Sequence, residues 1–162
     1  MGPLLGKDLR GLFYVNFAIR IDFILPMSRI LAVDFGLQRS GLAVTDPLQI
    51  IVTALDTVET RQLVAYITDY CQREIVEKIV FGKPVHRDGQ ETYLMPYILQ
   101  TELELKRKIP GLHTAFQDES GTSAEARGII FNSGIGKEKR KDKARIDRVS
   151  AVLILQKYLG HI

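Results

Sequence analysis

The sequence contains a single cysteine, no apolar run long enough to cross a membrane, and no internal repeat or low-complexity linker. The lone Cys71 excludes an intramolecular disulfide and any metal site built from several cysteines, and it suits a reducing cytosol. It lies on the apolar stripe of a predicted helix, so we assign it to the core. Nowhere do about 18 apolar residues follow one another, so the sequence predicts no membrane-spanning helix.

The chain of 162 residues is long enough for one domain with a substantial core. A hydrophobic content of 46% with 25% charged residues is typical of an α/β protein. The net charge of +3 is only mildly basic, but the basic residues concentrate near the C-terminus. Such a cluster matters more than the total charge, because a local positive field attracts polyanions.

The first 26 residues are apolar, but charged residues interrupt them too often for a secretory signal, and no small-residue cleavage site follows. Pro26 separates this stretch from Met27, which directly precedes the first strongly predicted strand. We therefore predict that 1–26 is an N-terminal extension outside the fold. On this hypothesis Met27 is the natural start, and 27–162 form the folded domain.

The stretch from Arg29 to Thr45, RILAVDFGLQRSGLAVT, predicts two strands joined by a glycine-rich turn. The first strand is apolar and ends at Asp34. An aspartate at the end of a buried strand is unfavourable unless a cation or a metal faces it. An aspartate also commonly starts a turn by hydrogen-bonding its own backbone, and at this point both interpretations of Asp34 stay open.

The remaining pattern predicts an alternation of strands and helices. Further strands are expected at 49–55, 76–81 and 112–117, and helices at about 59–73, 92–108, 122–132 and 142–159. Thr57 or Thr60 is expected to cap the first helix. Three early strands joined by tight turns, followed by alternating helices and strands, predict an α/β fold with a mixed five-stranded sheet and helices on both faces.

Three acidic residues stand out in this arrangement: Asp34 ends the first strand, Glu119 follows the fifth, and Asp147 lies near the start of the last helix. The ends of the strands mark the edge where open α/β sheets bind ligands. Asp147 begins a helical stripe that becomes more apolar along the helix and so faces the sheet; it continues through Ser150, Ala151, Ile154 and Tyr158.

Converging carboxylates repel one another unless a divalent cation neutralises them, and oxygen ligands favour Mg²⁺ or Mn²⁺. Two such ions about 4 Å apart can activate water against a phosphodiester and stabilise the leaving oxygen. The three acids therefore indicate metal-dependent phosphodiester hydrolysis. For Asp147 the alternative is an acid near a helix N-terminus, favoured there by the helix dipole.

A basic segment lies between Gly136 and Val149, beside the suspected metal site. Its cations would guide a polyanionic backbone toward that site: Lys137, Lys139, Arg140, Lys141, Lys143, Arg145 and Arg148. The alternative is a solvated basic loop. Lys143 precedes Asp147 by four residues and shares its helical face, where it would contact the scissile phosphate or pair with the acid.

These features resemble the YqgF (RuvX) family, bacterial RNase H-like nucleases related to the RuvC Holliday junction resolvases. Four segments between Arg29 and Leu159 carry the resemblance: VDFGLQRSGLAVTDP, IVFGKP with the following DG, DESGTSAEA, and KARIDRVSAVLILQKYL. The resemblance implies an RNase H-like nuclease domain over 27–162. It also implies a cytoplasmic enzyme that trims the 5′ end of the 16S rRNA precursor, with pre-rRNA, ribosomal particles or branched DNA as partners.

The resemblance assigns roles to individual residues. Asp34, Glu119 and Asp147 fall on the acidic catalytic and metal-binding positions of the family. Asp118 belongs to the same acidic pair as Glu119, as a metal ligand or as a group that supports one. Arg39, in the first turn, matches a basic position and is predicted to contact a phosphate.

Two positions depart from the family pattern. Ser120 stands where the family's Asp-Glu-Arg has its arginine, and serine cannot hold a carboxylate or phosphate in bidentate fashion. Lys83 replaces the leucine of Gly-Leu-Pro and adds a cation at the rim of the cleft. These changes bear on efficiency and substrate preference more than on the fold.

Three other functions stay open at this stage. The Asp-Phe-Gly turn also resembles the first phosphate loop of sugar kinases and actin-like ATPases, but those proteins need two such domains. A non-catalytic RNA-binding or ribosome-assembly factor would keep the fold without needing Asp34. A true four-way junction resolvase makes paired cuts and needs a dimer, and the sequence shows neither a dimer face nor an oligomeric state.

Overall fold

A computed structural model describes residues 27–84, 92–119, 121–134, 136 and 142–162 of the chain. The extension 1–26, Ser120, and the basic residues Lys137, Lys139, Arg140 and Lys141 lie outside the described residues. The described part contains the following elements: β1 (Arg29–Asp34), β2 (Arg39–Thr45), β3 (Val52–Glu59), α1 (Leu63–Arg73), β4 (Val76–Lys83), α2 (Met95–Lys108), β5 (His113–Asp118), α3 (Thr122–Asn132) and α4 (Lys143–Tyr158).

The five strands form one mixed sheet in the order β3-β2-β1-β4-β5. The first three strands pair antiparallel, whereas β4 runs parallel to β1 and β5 runs parallel to β4. Asp34 pairs with Gly41 across the first hairpin, and Lys83 pairs with Asp118. The carboxyl ends of β1, β4 and β5 therefore lie along one edge of the sheet.

Helices cover both faces of the sheet, as the sequence predicted. One face carries α1 and α2 over a core of large side chains that includes Leu31, Leu42 and Phe81. The other face carries α4 over Ala32, Ala43 and further small or medium side chains, and α3 packs against α4. Each large apolar side chain buried in this way contributes about 1.5–3 kcal/mol to stability. Cys71 packs against the first of these cores, and burial raises the pKa of its thiol.

The third strand begins later than the sequence predicted, at Val52 rather than residue 49. The cause is the carboxylate of Asp46, which accepts hydrogen bonds from the backbone N–H groups of Ile50 and Ile51 at 2.7 Å each. Because these bonds close a turn, and Gln49 takes a φ of 59°, residues 46–51 cannot pair as a strand.

The predicted threonine cap of the first helix is wrong. A short 3₁₀ turn over Thr60–Gln62 precedes α1, and neither start has a side-chain cap. Thr60 instead donates its hydroxyl to the Gly36 carbonyl at 2.5 Å, while Thr57 donates to the Ala144 carbonyl at 2.8 Å. Both hydroxyls thus tie separate segments together rather than capping a helix.

Within the described ranges, no helix has both the length and the apolar character needed to cross a membrane.

The closest approach between sheet and helix occurs at Gly41 on β2. A Cβ atom at this position would overlap the backbone carbonyl of Asp147 on α4. The neighbouring contact residues on this face, Ala32, Ala43 and Ala151, are small and fully buried. Small side chains at the contact let α4 lie directly against β1 and β2, which brings Asp147 toward the end of β1.

Replacing Gly41 with alanine should therefore destabilise the fold, because the new methyl group meets backbone that cannot move aside. We expect a loss of about 1–3 kcal/mol in the free energy of unfolding, measured by urea titration. Gly128→Ala is the matched control, because a Cβ atom there meets nothing within 4 Å. In the helix α3 it should gain about 0.5–1 kcal/mol. Equal stability of the two variants would contradict this account of the helix–sheet contact.

Candidate active site

Asp34 occupies the last position of β1, at the edge where the parallel strands end. The described structure gives its carboxylate no backbone hydrogen bond, so the turn-initiating interpretation is wrong. Its side chain is half-buried, with the hydroxyl of Ser150 on α4 as a neighbour. That hydroxyl favours the ionised acid, although it forms no hydrogen bond of ordinary geometry.

Asp147 reaches this edge from the first half of α4. The stripe predicted from helical spacing faces the sheet, since Ser150, Ala151 and Ile154 are all buried. Because α4 begins at Lys143 and has no acid in its first turn, the helix dipole does not account for Asp147. The helix N-cap is Asp142, whose carboxylate accepts a hydrogen bond from the Ala144 N–H at 3.0 Å.

Glu119 follows β5 and lies over β4. Its backbone N–H donates to the carbonyl of Lys83 at 3.1 Å, which extends the β4–β5 pairing one residue past Asp118. A Cβ atom on Gly82 would overlap the Glu119 carboxylate, so the glycine leaves the space that this side chain fills. The Glu119 Oε1 atom is buried and has no hydrogen-bond partner within the described ranges.

Burial and neighbouring charges raise the pKa values of the acids. Burial raises the pKa of Asp34 to about 7, and the negative charge of Asp147 adds to the rise. Burial also raises the pKa of Glu119 to about 8, with Asp34 and then Asp118 adding to it. The charge of Asp34 therefore interacts with those of both other acids. Such strongly raised values in converging carboxylates are typical of functional sites.

Arg39 on β2 moderates the charge of Asp147. Its Nε atom lies 3.4 Å from Asp147 Oδ2, in an ion pair rather than a well-formed hydrogen bond. Burial raises the pKa of Asp147, and Arg39 opposes that rise. Of the two roles left open for Lys143, pairing with Asp147 is not formed, because Lys143 has no ion-pair partner among the residues described. Its contact with a phosphate stays a prediction.

The other predicted site residues lie on β4, β5 and α4 or outside the described ranges. Asp118 and Lys83 end their strands opposite each other in the β4–β5 pairing. Arg145 lies on α4 with a buried Nε atom that has no hydrogen-bond partner in the described part of the chain. The predicted contacts of Lys137, Lys139, Arg140 and Lys141 stay predictions.

The acidic side chains suit the binding of a cation, but they do not form a complete set of metal ligands in the described residues. No three His, Cys, Asp or Glu side chains in the described ranges are grouped as a metal site. The donor set nevertheless fits a hard divalent cation: two half-buried carboxylates with raised pKa values, one of them with a buried, unpartnered oxygen. A cation would relieve the repulsion that now favours their protonated forms.

Sequence reasoning assigned Gly41 only to the glycine-rich turn, and it assigned no role to Gly82 or Arg127. The two glycines matter because a backbone and a carboxylate occupy the space where a side chain would lie, and a single sequence does not show such contacts. Arg127 lines a cavity beside Asp147, described below. Ser150 was placed on the correct helical stripe, but its position beside Asp34 was not predicted.

The raised pKa values predict an unusual pH dependence of stability in the absence of metal. The folded protein keeps protons on Asp34 and Glu119 that the unfolded chain releases above its ordinary values of 3.8 and 4.5. The free energy of unfolding should therefore fall as the pH rises from about 5 to about 8, measured by urea titration in EDTA. The Asp34→Asn variant should show a smaller fall.

Asp46→Asn is the contrasting control for this experiment. Hydrogen bonds from the backbone lower the pKa of Asp46, so its titration affects stability only below the window of interest. This variant should keep the decline between about pH 5 and about pH 8. A parent protein whose stability is constant or rises across that window would contradict the buried, coupled carboxylates.

Comparison with known families and proteins gives a consistent result. Residues 28–161 match the sequence profile of the RuvX family, described as Holliday junction resolvase. A relative from Porphyromonas gingivalis is 47% identical over 135 residues, which cover 83% of this chain and 98% of its own length. One from Phocaeicola vulgatus is 44% identical over 133 residues, covering 82% and 96%. Both are named "Putative pre-16S rRNA nuclease".

Comparison with solved structures confirms the predicted fold. Thermus thermophilus RuvC, solved in complex with a Holliday junction substrate, matches with a TM-score of 0.51 and 16% sequence identity. The match covers 82% of this chain and 96% of that one. At this identity the likeness shows the fold alone, which is the RNase H-like fold.

Proposed function

This chain belongs to the RuvX family, and from that membership we propose that it is a metal-dependent nuclease acting on RNA in the 5′-end maturation of pre-16S rRNA. Family and named relatives make it a phosphodiester hydrolase. The observation that supports the proposal is the interaction of the Asp34 carboxylate with those of Asp147 and Glu119, which raises pKa values at the carboxyl edge of the sheet.

The proposal assigns the acids to metal binding. Asp34 would hold Mg²⁺ or Mn²⁺ together with Asp147 and Glu119, and Asp118 would join or support them. When bound, the cation supplies positive charge for the developing oxyanion and lowers the pKa of bound water. The protein contributes a buried setting for these carboxylates, in which their charges act more strongly than in water.

The cations around the acids would bind and orient the substrate backbone. Arg39 already balances the charge of Asp147, so it lies within reach of a phosphate brought to that acid. Lys83, Lys143 and Arg145 are the further phosphate contacts in this proposal. The predicted contacts Lys137, Lys139, Arg140 and Lys141 would extend the same basic surface along the strand.

The RNA substrate is proposed from the relatives named for pre-16S rRNA. Such a substrate places the protein in the cytoplasm, where it would meet precursor RNA free or within ribosomal particles. The basic segment and the sequence pI of about 9.0 suit a polyanionic partner of this kind.

A second candidate function is the resolution of four-way DNA junctions, favoured by the description of the family profile. It requires two active sites acting together, and therefore a dimer. Competition binding separates the two candidates: unlabelled four-way junction and unlabelled precursor RNA would each be titrated against labelled precursor. Stronger displacement by the junction, together with a dimer in sedimentation, would favour resolution.

The decisive test of the nuclease function compares the full chain with Asp34→Asn on a 5′-extended 16S precursor RNA, in Mn²⁺, Mg²⁺ or EDTA. The parent should shorten the RNA with a divalent ion and not with EDTA. The variant should be slower by at least about 100-fold, since loss of a group that merely supports a ligand already costs about 10–100-fold.

Asp69→Asn is the matched control, because Asp69 lies on α1 in an exposed ion pair with Arg73. It should cleave at the parent rate. If the parent binds the RNA but cuts it with neither ion, the proposed nuclease function is contradicted and a non-catalytic RNA-binding factor is favoured instead. In that case Ser120→Arg, which restores the family's arginine, becomes the next variant to assay.

A further inference from the structure

A cavity of about 380 Å³ lies beside Asp147. Three elements far apart in sequence form it: β2, the first turns of α3, and the start of α4. Its lining residues are Arg39, Ser123, Arg127, Lys143, Ile146 and Asp147. We call it the α3–α4 cavity.

The α3–α4 cavity carries a surplus of positive charge. Three cations line it against one carboxylate, and that carboxylate is already paired with Arg39. Neither Arg127 nor Lys143 has an ion-pair partner in the part of the chain that the structure describes. Unpaired cations that face one cavity attract an anion, and they gain most from one with several acceptor oxygens.

The position of Arg127 is fixed by the packing of α3 on α4. Lys157 on α4 donates to the carboxylate of Glu125 at 3.0 Å and contacts the hydroxyl of Thr122 at 3.4 Å. Ala126 and Ile130 anchor α3 as buried side chains. The Glu125 charge is thus balanced by Lys157, which leaves the guanidinium of Arg127 available at the cavity.

We propose that the α3–α4 cavity is a phosphate-binding subsite that holds a nucleic-acid phosphate next to the one at the carboxylates. Arg127 donates two parallel hydrogen bonds to the phosphate oxygens, Lys143 adds a point charge, and the Ser123 hydroxyl donates a further hydrogen bond. Arg39, which lines this cavity together with Asp147, contacts the strand where it passes from one phosphate to the next. The inference rests on the proposed function, because it takes nucleic acid as the substrate.

A second cavity indicates that the strand continues beyond Arg39. This cavity, of about 450 Å³, is lined by Leu37, Gln38, Arg39, Glu59 and Arg61. Arg39 lines both cavities, so a single strand can pass from one to the other. In the second cavity Arg61 is already paired with Glu59 at 2.6 Å, so Arg39 is the cation that both cavities share. The phosphate in the α3–α4 cavity could belong to an internal phosphodiester or to a terminal 5′-monophosphate, and the experiment below distinguishes them.

The test measures binding without cleavage, so it is independent of turnover. The full chain and its Arg127→Ala variant would be titrated, in EDTA, against a labelled 12-nucleotide single-stranded RNA, followed by fluorescence anisotropy at several salt concentrations. Arg127→Ala should bind several-fold more weakly. The slope of log affinity against log salt should fall by about 0.7, the contribution of one phosphate contact to a single strand.

Two further variants control the experiment. Arg107→Ala removes a cation from the exposed end of α2 and should bind as the parent does. Arg127→Lys keeps the charge but loses the paired hydrogen bonds, so it should recover the salt slope and only part of the affinity. Because Arg127 is exposed, both of its variants should fold, which equal thermal unfolding midpoints will verify.

The source of the phosphate is read from two forms of the RNA. If Arg127→Ala weakens binding only when the RNA carries a 5′-monophosphate, the subsite holds a terminal phosphate. If it weakens binding equally with a 5′-hydroxyl, the subsite holds an internal phosphodiester. Either result supports the subsite. Arg127→Ala and Arg107→Ala with the same affinity and the same salt slope would overturn it.

Failure of this inference is distinguishable from failure of the nuclease function. If the parent cleaves the precursor RNA and Arg127→Ala binds like the parent, only the proposed subsite is contradicted. If the parent binds RNA through Arg127 but never cleaves it, the nuclease function is contradicted and the phosphate subsite is supported.

Discussion

The contact between Gly41 on β2 and the backbone of Asp147 on α4 is the constraint on which the site depends. Only a residue without a side chain lets the helix lie this close to the sheet. Gly41 is also the residue that pairs with Asp34 across the hairpin. A single close approach therefore determines the distance between two acids that are 113 positions apart in the sequence. Gly82 on β4 likewise leaves the space that the side chain of Glu119 fills.

This packing brings together charges that would separate in a flexible chain. Burial and mutual repulsion raise the pKa values of Asp34 and Glu119 to about 7 and about 8, so their ionised forms are disfavoured in the fold. Arg39 relieves part of that repulsion from the Asp147 side. Repulsion of this kind is common in binding sites, because a ligand that relieves it is bound more favourably.

Local sequence patterns predicted most of the fold, but they did not predict contacts between segments that are distant in the sequence. The stripe from Asp147 to Ile154 was predictable because helical spacing is a local property. The start of β3 was wrong because three backbone groups bind the Asp46 carboxylate, and the pattern of apolar residues does not show this. Asp147 pairs with Arg39 from another element rather than with Lys143 on its own helix. The sequence did not identify Arg127, because the cavity that it lines forms only where β2, α3 and α4 pack together.

The central claim is that a divalent cation replaces protons held by the buried carboxylates. It is tested most directly by calorimetric titration of Mn²⁺ into the full chain at pH 7, in two buffers with different ionisation enthalpies. The account predicts that Mn²⁺ binding releases protons, because Asp34 and Glu119 hold them near neutral pH. The release should be smaller at pH 9 and smaller still in Asp34→Asn. Mn²⁺ binding with the same heat in both buffers, or no binding at all, would contradict it.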